Sequence, residues 1–180
     1  EMCIRDRDRN GALKVHTTFQ PDTTIVKSMA RLGLTFRVSN AYDQVSYLGR
    51  GDNETYIDRN QSGKIGVYQT TPERMFHYYV APQSTGNRTD VRWVKLADTS
   101  GEGIFVESDR AFQFSIIPFS DVLLEKAHHI NELERDGMIT IHLDAEQAGV
   151  GTATCGPGVL PQYLVPVKKQ SFEFTLYPVK

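Results

Sequence analysis

The sequence has few cysteines, little net charge and no long apolar run, and each shortage excludes a class of protein. Its 2 cysteines, Cys3 and Cys155, show no CxxC spacing, so neither a disulfide framework nor a zinc cage is indicated. A balance of 20 basic against 22 acidic residues, net charge -2, makes nucleic acid an unexpected partner. No stretch approaches the roughly 18 to 20 apolar residues of a membrane span, so no membrane partner is expected.

The first ten residues, EMCIRDRDRN, differ in character from the rest of the chain. Their charges follow neither a strand period nor a helix period, and they stand where a signal peptide would be apolar. We therefore expect residues 1–10 to be a non-native or disordered leader and residues 11–180 to carry the fold.

Alternation of apolar and polar residues with period two dominates residues 11–180 and predicts half-buried strands. The clearest examples are Leu13 to Phe19, Leu32 to Val38, Ile139 to Leu143 and Phe172 to Leu176. Further strand candidates are residues 44–48, 64–69, 90–96, 103–108 and 112–117, separated by Gly, Asp, Asn and Pro clusters. Many short strands between turn signals are typical of an all-β sandwich or barrel.

One segment has helical spacing instead. Apolar residues recur there at Leu123, Ala127, Ile130 and Leu133, after Ser120 and Asp121 as potential N-caps and before Asp136 and Gly137. We expect one short helix that covers a sheet edge or face. Adjacent His128 and His129 would lie on it with Glu125 and Glu132, but His128 and Glu132 supply only two ligands, so no metal site is predicted.

Two polar or glycine-rich segments deserve a functional interpretation. The segment GRGDNETYIDR, residues 49–59, could bind a sugar or could fix a long turn, with Arg50 and Arg59 paired to Asp52, Glu54 or Asp58. The segment GVGTATCGPGVLPQYL, residues 149–164, must take tight turns of the kind that reach toward a ligand or a neighbouring domain. No pair of carboxylates has a catalytic pattern, and Cys155 has no base nearby in sequence.

Five blocks in the chain resemble, in the same order, motifs of the C-terminal small-chain domain (domain 5) of family 2 β-galactosidases. They are RLGLTFRV (31–38), VSYLGRGDNETYIDR (45–59), PQSTGNRTDVRW (82–93), FSDVLLEKAHH (119–129) and GPGVLPQY (156–163). The amino-acid sequence of residues 145–180 looks closest to Bacteroides-type enzymes. The resemblance implies an antiparallel β-sandwich of the galactose-mutarotase-like supersandwich type, of which this chain would be the later part, with an exposed edge or apolar face.

The resemblance also implies a division of labour within a longer retaining β-galactosidase. The catalytic glutamates and the magnesium and sodium ligands of the family lie in other domains, so no catalytic residue, metal or cofactor is expected on this segment. The domain would contact the catalytic barrel, and a homo-oligomer is possible for the parent. The compartment stays open between bacterial cytoplasm and periplasm.

In the family, one loop of this domain reaches the barrel and places a tryptophan under the sugar in the leaving-group subsite of a β-galactoside. The matching residues here are Thr152, Ala153, Thr154, Cys155 and Gly156. Where tryptophan-bearing members read GGDDSWGPGV, this chain reads GTATCGPGV, so Cys155 occupies the aromatic position. An aromatic face can add about 1 kcal/mol beyond area burial, so leaving-group preference is expected to differ.

Two other functions fit the residue types. A stand-alone carbohydrate-binding module would use Arg88, Trp93 and Tyr56 as its sugar-binding side chains. A mutarotase-like sugar epimerase would need a histidine and a glutamate converging in a cleft, for which His142 and Glu146 are available.

Overall fold

A computed structural model describes residues 2–152 and 156–180, and its regular structure is almost entirely strand. The strands are β1 (Met2–Arg7), β2 (Leu13–Phe19), β3 (Ser28–Met29), β4 (Arg31–Ser39), β5 (Gln44–Gly51), β6 (Lys64–Thr70), β7 (Arg88–Ala97), β8 (Gly103–Ile117), β9 (Met138–Gln147), β10 (Val165–Pro166) and β11 (Gln170–Val179). The remaining regular structure of the described residues consists of two short helices, α1 (Pro72–Met75) and α2 (Asp121–Lys126), and two 3-10 turns (Ile130–Glu132 and Pro161–Tyr163).

The long strand β8 joins the two layers of an antiparallel β-sandwich. Its first half pairs with β11, and both halves pair with β7, within the strand order β1-β2-β11-β8-β7-β5-β6. Its second half pairs with β9, which pairs in turn with β4. The small ribbon β10-β3 stands beside this sheet. The all-β class and the sandwich are confirmed.

The main core lies between these layers. Its buried side chains come from the inner faces of both, as period-two alternation predicts: Val45, Tyr47, Val94, Leu96, Val106 and Phe174 from one, and Phe112, Phe114, Ile116, Ile139, Ile141 and Leu143 from the other. Burial of apolar area at about 25 cal/mol per Å² makes this contact the main stabilising term of the fold.

The strand positions follow the sequence prediction with one merger. Residues 103–108 and 112–117 belong to the single strand β8. Between them Asp109 and Arg110 are exposed, so they interrupt the hydrophobic pattern without interrupting the strand.

The first residues differ from the sequence interpretation. Residues 2–7 form β1, which pairs antiparallel with β2 from Met2 opposite Thr18 to Arg7 opposite Leu13. Backbone groups make this pairing, and they need no period-two side-chain pattern, so the charged segment carries no sequence signal for it. Residues 2–7 are thus described as a strand, and the interpretation of residues 1–10 as a non-native or disordered leader stays a prediction.

The covering helix is present but shorter than predicted. Ser120 caps α2 by accepting a hydrogen bond from the Leu123 amide at 3.2 Å, as expected, but the helix ends at Lys126. Leu123 and Leu133 both pack on a small cluster of Phe76, Ile117, Phe119 and Leu124, and the chain reaches Leu133 through a 3-10 turn, with Ile130 40% exposed. The prediction of a helix that continues to Leu133 is therefore wrong. Within the described part of the chain, neither helix has the length or apolarity to cross a membrane.

The outer face of β9 is also covered. Thr140, His142 and Asp144 are each about 1% exposed, although they lie on the strand face opposite the main core. The helix α2 approaches this face, and Arg31 pairs with Asp144 at 2.7 Å. At the other end of the sheet, Ile65 and Val67 on the edge strand β6 are 55% and 66% exposed. The sandwich thus carries an additional layer on one outer face and an exposed apolar edge elsewhere.

Candidate functional site

The glycine-rich segment after β9 forms a loop whose described ends are tied to the body of the domain. The Ala148 amide donates to the Ala30 carbonyl at 2.8 Å, and the Gly149 amide donates to the Tyr163 carbonyl at 2.9 Å. The Thr152 amide and hydroxyl both donate to the Pro157 carbonyl, at 3.1 and 3.2 Å, which closes the loop across its neck. The loop therefore has a defined base.

The five residues predicted to face the leaving group are only partly covered by the structure. Thr152 and Gly156 are described, and both are exposed at the neck of the loop. A Cβ at position 156 would lie 2.6 Å from the Thr152 hydroxyl, so a larger residue there would require the Thr152 side chain to move. Ala153, Thr154 and Cys155 lie outside the described residues, and their predicted role stays a prediction.

Asp58, from the segment GRGDNETYIDR, contacts this loop from across the chain. Its Oδ2 accepts a hydrogen bond from the Gly151 amide at 2.7 Å, over a separation of 93 residues. A Cβ at position 149 would lie 2.5 Å from the Asp58 carboxyl group, so glycine at 149 allows the close approach. The two segments that the sequence singled out separately therefore form one site.

The position of Asp58 is set by a tight turn on a buried support. The Arg59 amide donates to the Tyr56 carbonyl at 2.8 Å, so Asp58 lies inside this turn. Just before it, Thr55 is fully buried, and its hydroxyl accepts from the Thr89 amide at 3.0 Å. The Asn87 side chain donates to the Thr55 carbonyl at 2.9 Å. These bonds join the turn to the start of β7.

Glu54 is the charged centre of the same turn. Its carboxylate accepts from the Tyr79 hydroxyl, from the Gly86 amide at 3.0 Å and from Arg59 at 2.6 Å. Burial acts to raise the pKa of Glu54, but the bonds from Tyr79 and Gly86 and the charge of Arg59 outweigh it and lower that pKa. Glu54 is therefore held ionised in a structural role.

The ion pairs of residues 49–59 agree in part with the prediction that Arg50 and Arg59 fix a long turn. Arg59 pairs with Glu54, as predicted. Arg50 pairs instead with Asp90 on β7 and donates to the Gly63 carbonyl at 2.9 Å. The segment is thus fixed to its neighbours on both sides, which leaves Asp58 to contact the loop.

A groove of about 420 Å³ runs beside the loop. Its walls are formed by Asp58, Arg59, Gly151, Thr152, Pro157, Gly158, Leu160 and Tyr163. Leu160 is 53% exposed, so part of this wall is apolar and open to solvent. Carboxylate, guanidinium and aromatic groups around one groove are the side chains that suit a polyol or the ring of a sugar.

The three side chains proposed for a carbohydrate-binding module do not form one accessible surface. Arg88 is 2% exposed and donates to the Tyr47 hydroxyl at 2.9 Å, to the Gly86 carbonyl at 2.9 Å and to the Asp52 carbonyl at 2.6 Å. Tyr56 is 4% exposed, and burial raises the pKa of its hydroxyl. Trp93 is half-buried and stacks on Phe105 with ring centroids 5.7 Å apart. The geometry argues against a sugar site built from these three.

Two of the histidines, His142 and His128, contact other residues of the fold. His142 is 1% exposed, with its Nδ1 at 3.2 Å from the Thr35 hydroxyl. Its Nε2 lies 3.2 Å from an Asp121 carboxylate oxygen, close enough for an ion pair although not aligned for a hydrogen bond. The carboxylate beside it thus belongs to Asp121 and not to Glu146. His128 lies beyond the end of α2, and its backbone amide donates to Glu132 at 2.9 Å.

Sequence reasoning missed Asp144, the most buried carboxylate described. It is 1% exposed, and burial raises its pKa against the opposing effect of Arg31. Its position in an alternating strand offered no signal, since the covering layer is remote in sequence. In the residues that the structure describes, no three His, Cys, Asp or Glu side chains are grouped closely enough to bind a metal ion.

Comparison with known proteins places the chain in one family. The model of the family described as "Beta galactosidase small chain" matches residues 6–176. A β-galactosidase of Priestia megaterium is 28% identical over 142 residues, which is 79% of this chain and 14% of the relative. That of Kluyveromyces lactis is 30% identical over 168 residues (93% and 16%), and that of Vibrio cholerae 33% over 149 residues (82% and 14%). The chain thus spans about a seventh of the length of these curated relatives.

Proposed function

Because the chain belongs to the β-galactosidase small-chain family, we propose that it is a non-catalytic β-sandwich domain of a longer β-galactosidase. In this proposal the parent protein hydrolyses terminal non-reducing β-D-galactosides. The domain packs against the catalytic barrel and lends the loop of residues 152–156 to the leaving-group side of the galactoside site. The observation that carries the proposal is the match of the family model to residues 6–176. The Asp58–Gly151 hydrogen bond adds that Gly151, at the base of this loop, is fixed to the body of the sandwich.

The surroundings of the acidic residues support a role without catalysis. Retaining hydrolysis needs two carboxylates about 5 to 5.5 Å apart on either side of the scissile bond. Glu54 is saturated by Tyr79, Gly86 and Arg59, and Asp144 is buried beside Arg31. These two carboxylates are committed to structural contacts, and we propose that both catalytic carboxylates belong to the remainder of the parent protein.

The finer features of the proposal come from the family resemblance. They are a retaining mechanism of the family 2 type, magnesium and sodium ions bound outside this segment, a supersandwich architecture and closeness to Bacteroides-type sequences. A homo-oligomeric parent belongs with them. The replacement of the family's tryptophan by Cys155 removes a stacking platform, so the preferred leaving group is proposed to differ from that of tryptophan-bearing members.

The first test separates the domain from its parent. The purified 180-residue chain should show no hydrolysis of an aryl galactoside above the buffer rate, while the full-length parent should turn it over. Activity of the isolated chain would contradict the proposal.

The second test measures sugar binding by the isolated chain. Titration calorimetry with galactose and lactose should detect no binding tighter than about 1 mM, which corresponds to roughly -4 kcal/mol. Tighter binding would favour a stand-alone carbohydrate-binding module. Trp93→Ala would then show whether that predicted side chain contributes to binding.

A further inference from the structure

We propose that β6 is a dimerisation edge, at which the β6 strands of two copies of this chain pair antiparallel about a two-fold axis through Val67. The inference goes beyond the proposed function, because it concerns the association of the chain with itself and needs no galactoside. It also names a surface for the homo-oligomer, which the family resemblance does not locate.

Three strands of the large sheet have a single neighbouring strand among the described residues, and β6 is the least protected of them. The strand order ends at β1 on one side and at β6 on the other, and β4 pairs only with β9. Charged side chains and bulges keep an edge strand from pairing with other chains. β1 carries Asp6 and Arg7, whereas β4 carries Arg31 and Arg37 and has a register shift at Gly33.

β6 lacks these protections over most of its length. Lys64 is its one charged residue and lies at the first position of the strand. Ile65 and Val67, on the outer face, are 55% and 66% exposed. All 7 residues pair with β5 without a register shift, and none is proline, so neither a bulge nor a missing donor interrupts the edge. Such an edge is a template for another strand.

The opposite face of β6 is held in place by the core. Tyr68 packs against the main core, where its ring stacks on Tyr47 with centroids 5.5 Å apart. Its hydroxyl donates to the Lys64 carbonyl at 2.8 Å. Gly66 lies beside the same ring, since a Cβ there would be 3.3 Å from it. Because the strand is already ordered, pairing with a second copy costs little conformational entropy.

The sequence of β6 is compatible with pairing to itself. With Val67 on the two-fold axis, Ile65 lies opposite Gln69 of the second copy, and Lys64 lies opposite Thr70 of the second copy. No two like charges are opposed, which is the condition under which cross-strand pairs stabilise a sheet.

The symmetry of this pairing also joins the exposed apolar residues of the two copies. Opposed residues of antiparallel strands share a face of the sheet, so Ile65 and Val67 of both copies form one continuous apolar row. A two-fold contact uses the same patch on each copy and is therefore closed, so a dimer forms and not a filament.

Sedimentation velocity of the 180-residue chain tests the dimer. Between about 1 μM and about 100 μM the chain should pass from monomer to dimer. Val67→Lys places two ammonium groups opposite each other on the axis and should raise the dissociation constant at least about tenfold. Circular dichroism checks that the variant keeps its fold. A chain that stays monomeric up to about 100 μM would overturn the proposal.

Val80→Lys is the matched control. Val80 is 91% exposed and lies outside the strands, so the same substitution adds the same charge without touching β6. The dissociation constant should stay within about twofold of that of the unmodified chain. Equal weakening by both variants would mean that net charge controls association, and the assignment to β6 would be wrong.

Cysteine cross-linking tests the axis itself, in a background with Cys3→Ser and Cys155→Ser. Val67→Cys should form a disulfide-linked dimer on mild oxidation, because opposed residues in antiparallel strands have Cα atoms about 4.5 to 5.5 Å apart, within the range of a disulfide. Gln69→Cys should not, because its counterpart in the second copy lies about 14 Å away along the strand. An equal mixture of Ile65→Cys and Gln69→Cys should cross-link.

Equally fast cross-linking of Gln69→Cys and Val67→Cys would overturn the two-fold axis at Val67. Neither measurement involves hydrolysis of a galactoside. A failure here therefore leaves the proposed function standing, and activity of the isolated chain, which would contradict the proposed function, leaves the dimer standing.

Discussion

Two loops of this domain are each closed by an aspartate, and they differ in how far that aspartate lies along the chain. Asp98 accepts from the amides of Ser100 and Glu102, within four residues of itself. Asp58 accepts from the amide of Gly151, 93 residues away. The chemistry of the two contacts is the same. The first can form in a short peptide, whereas the second needs the folded sandwich to bring its partners together.

The glycines in the two loops show the same difference. Gly101 has a φ of +92° and nothing within 4 Å of a Cβ built on it. Gly151 has a φ of +57°, and a Cβ there would lie 2.8 Å from the Gly158 carbonyl carbon. Both positions favour glycine for backbone reasons, but the Asp58-bound loop is also crowded. We therefore expect a substitution of Gly151 to lower the free energy of unfolding more than a substitution of Gly101 in the Asp98 turn.

The largest effect is expected for Arg88→Ala. Arg88 is buried at the start of β7, between Asn87 and Thr89, whose hydrogen bonds hold the turn of Asp58. Arg88→Ala would leave the Tyr47 hydroxyl and the carbonyls of Gly86 and Asp52 without their buried donor. The free energy of unfolding should fall by about 3 kcal/mol, and Arg88→Lys should not restore it, because an ammonium cannot reach the same fork of acceptors. Urea denaturation measures this. A loss of unfolding free energy under about 1 kcal/mol would show that the hydrogen bonds of Arg88 contribute little to stability.

Gly151→Ala should have the next largest effect. The substitution combines a left-handed backbone with a clash against Gly158, so we expect a loss of about 2 kcal/mol. Thermal unfolding of the purified protein measures it. A change as small as that at Gly101 would mean that the loop relaxes freely and that its crowding has no energetic meaning.

Glu54→Gln tests the electrostatic part of the support, with an expected loss of about 1.5 kcal/mol at neutral pH. The folded-state pKa of Glu54 lies below its usual 4.5, so its contribution is present above that pH and is lost as pH falls through the folded-state pKa. The difference in unfolding free energy between the two proteins should therefore shrink below about pH 4.5. A difference that is constant from pH 7 to pH 3 would contradict the assignment.

Gly101→Ala is expected to have the smallest effect, about 1 kcal/mol. Only the left-handed backbone opposes the new methyl group, because the space around it is open. The same thermal unfolding measurement applies. A loss equal to that of Gly151→Ala would remove the distinction between the two loops.

Much of the fold could be predicted from single residues and their spacing. Leu32 to Val38 and Ile139 to Leu143 alternate with period two, and they lie in paired strands β4 and β9 with that face in the core. Ser120 was identified as an N-cap and is one. The helix α1 was missed, although Thr71 followed by Pro72 and Glu73 is an N-cap signature. Its 4 residues are too few for apolar periodicity to appear.

The candidate site was less predictable. The segments around Asp58 and Gly151 were both singled out, but neither carries a sign that they meet. The sugar-binding interpretation of Arg88, Trp93 and Tyr56 relied on residue type. Residue type does not reveal that the guanidinium of Arg88 donates its hydrogen bonds to buried oxygens of the same domain. His128 and His129 were placed on a helix that ends before them.

The sequence by itself determined the strands, the sandwich class and the family, because alternation and ordered motifs are properties of neighbouring residues. Tertiary structure alone decided which side of β9 is covered, which partner Arg50 takes and which carboxylate meets the Gly151 amide. Those choices depend on how two layers pack, and packing joins residues whose separation along the chain leaves no local pattern.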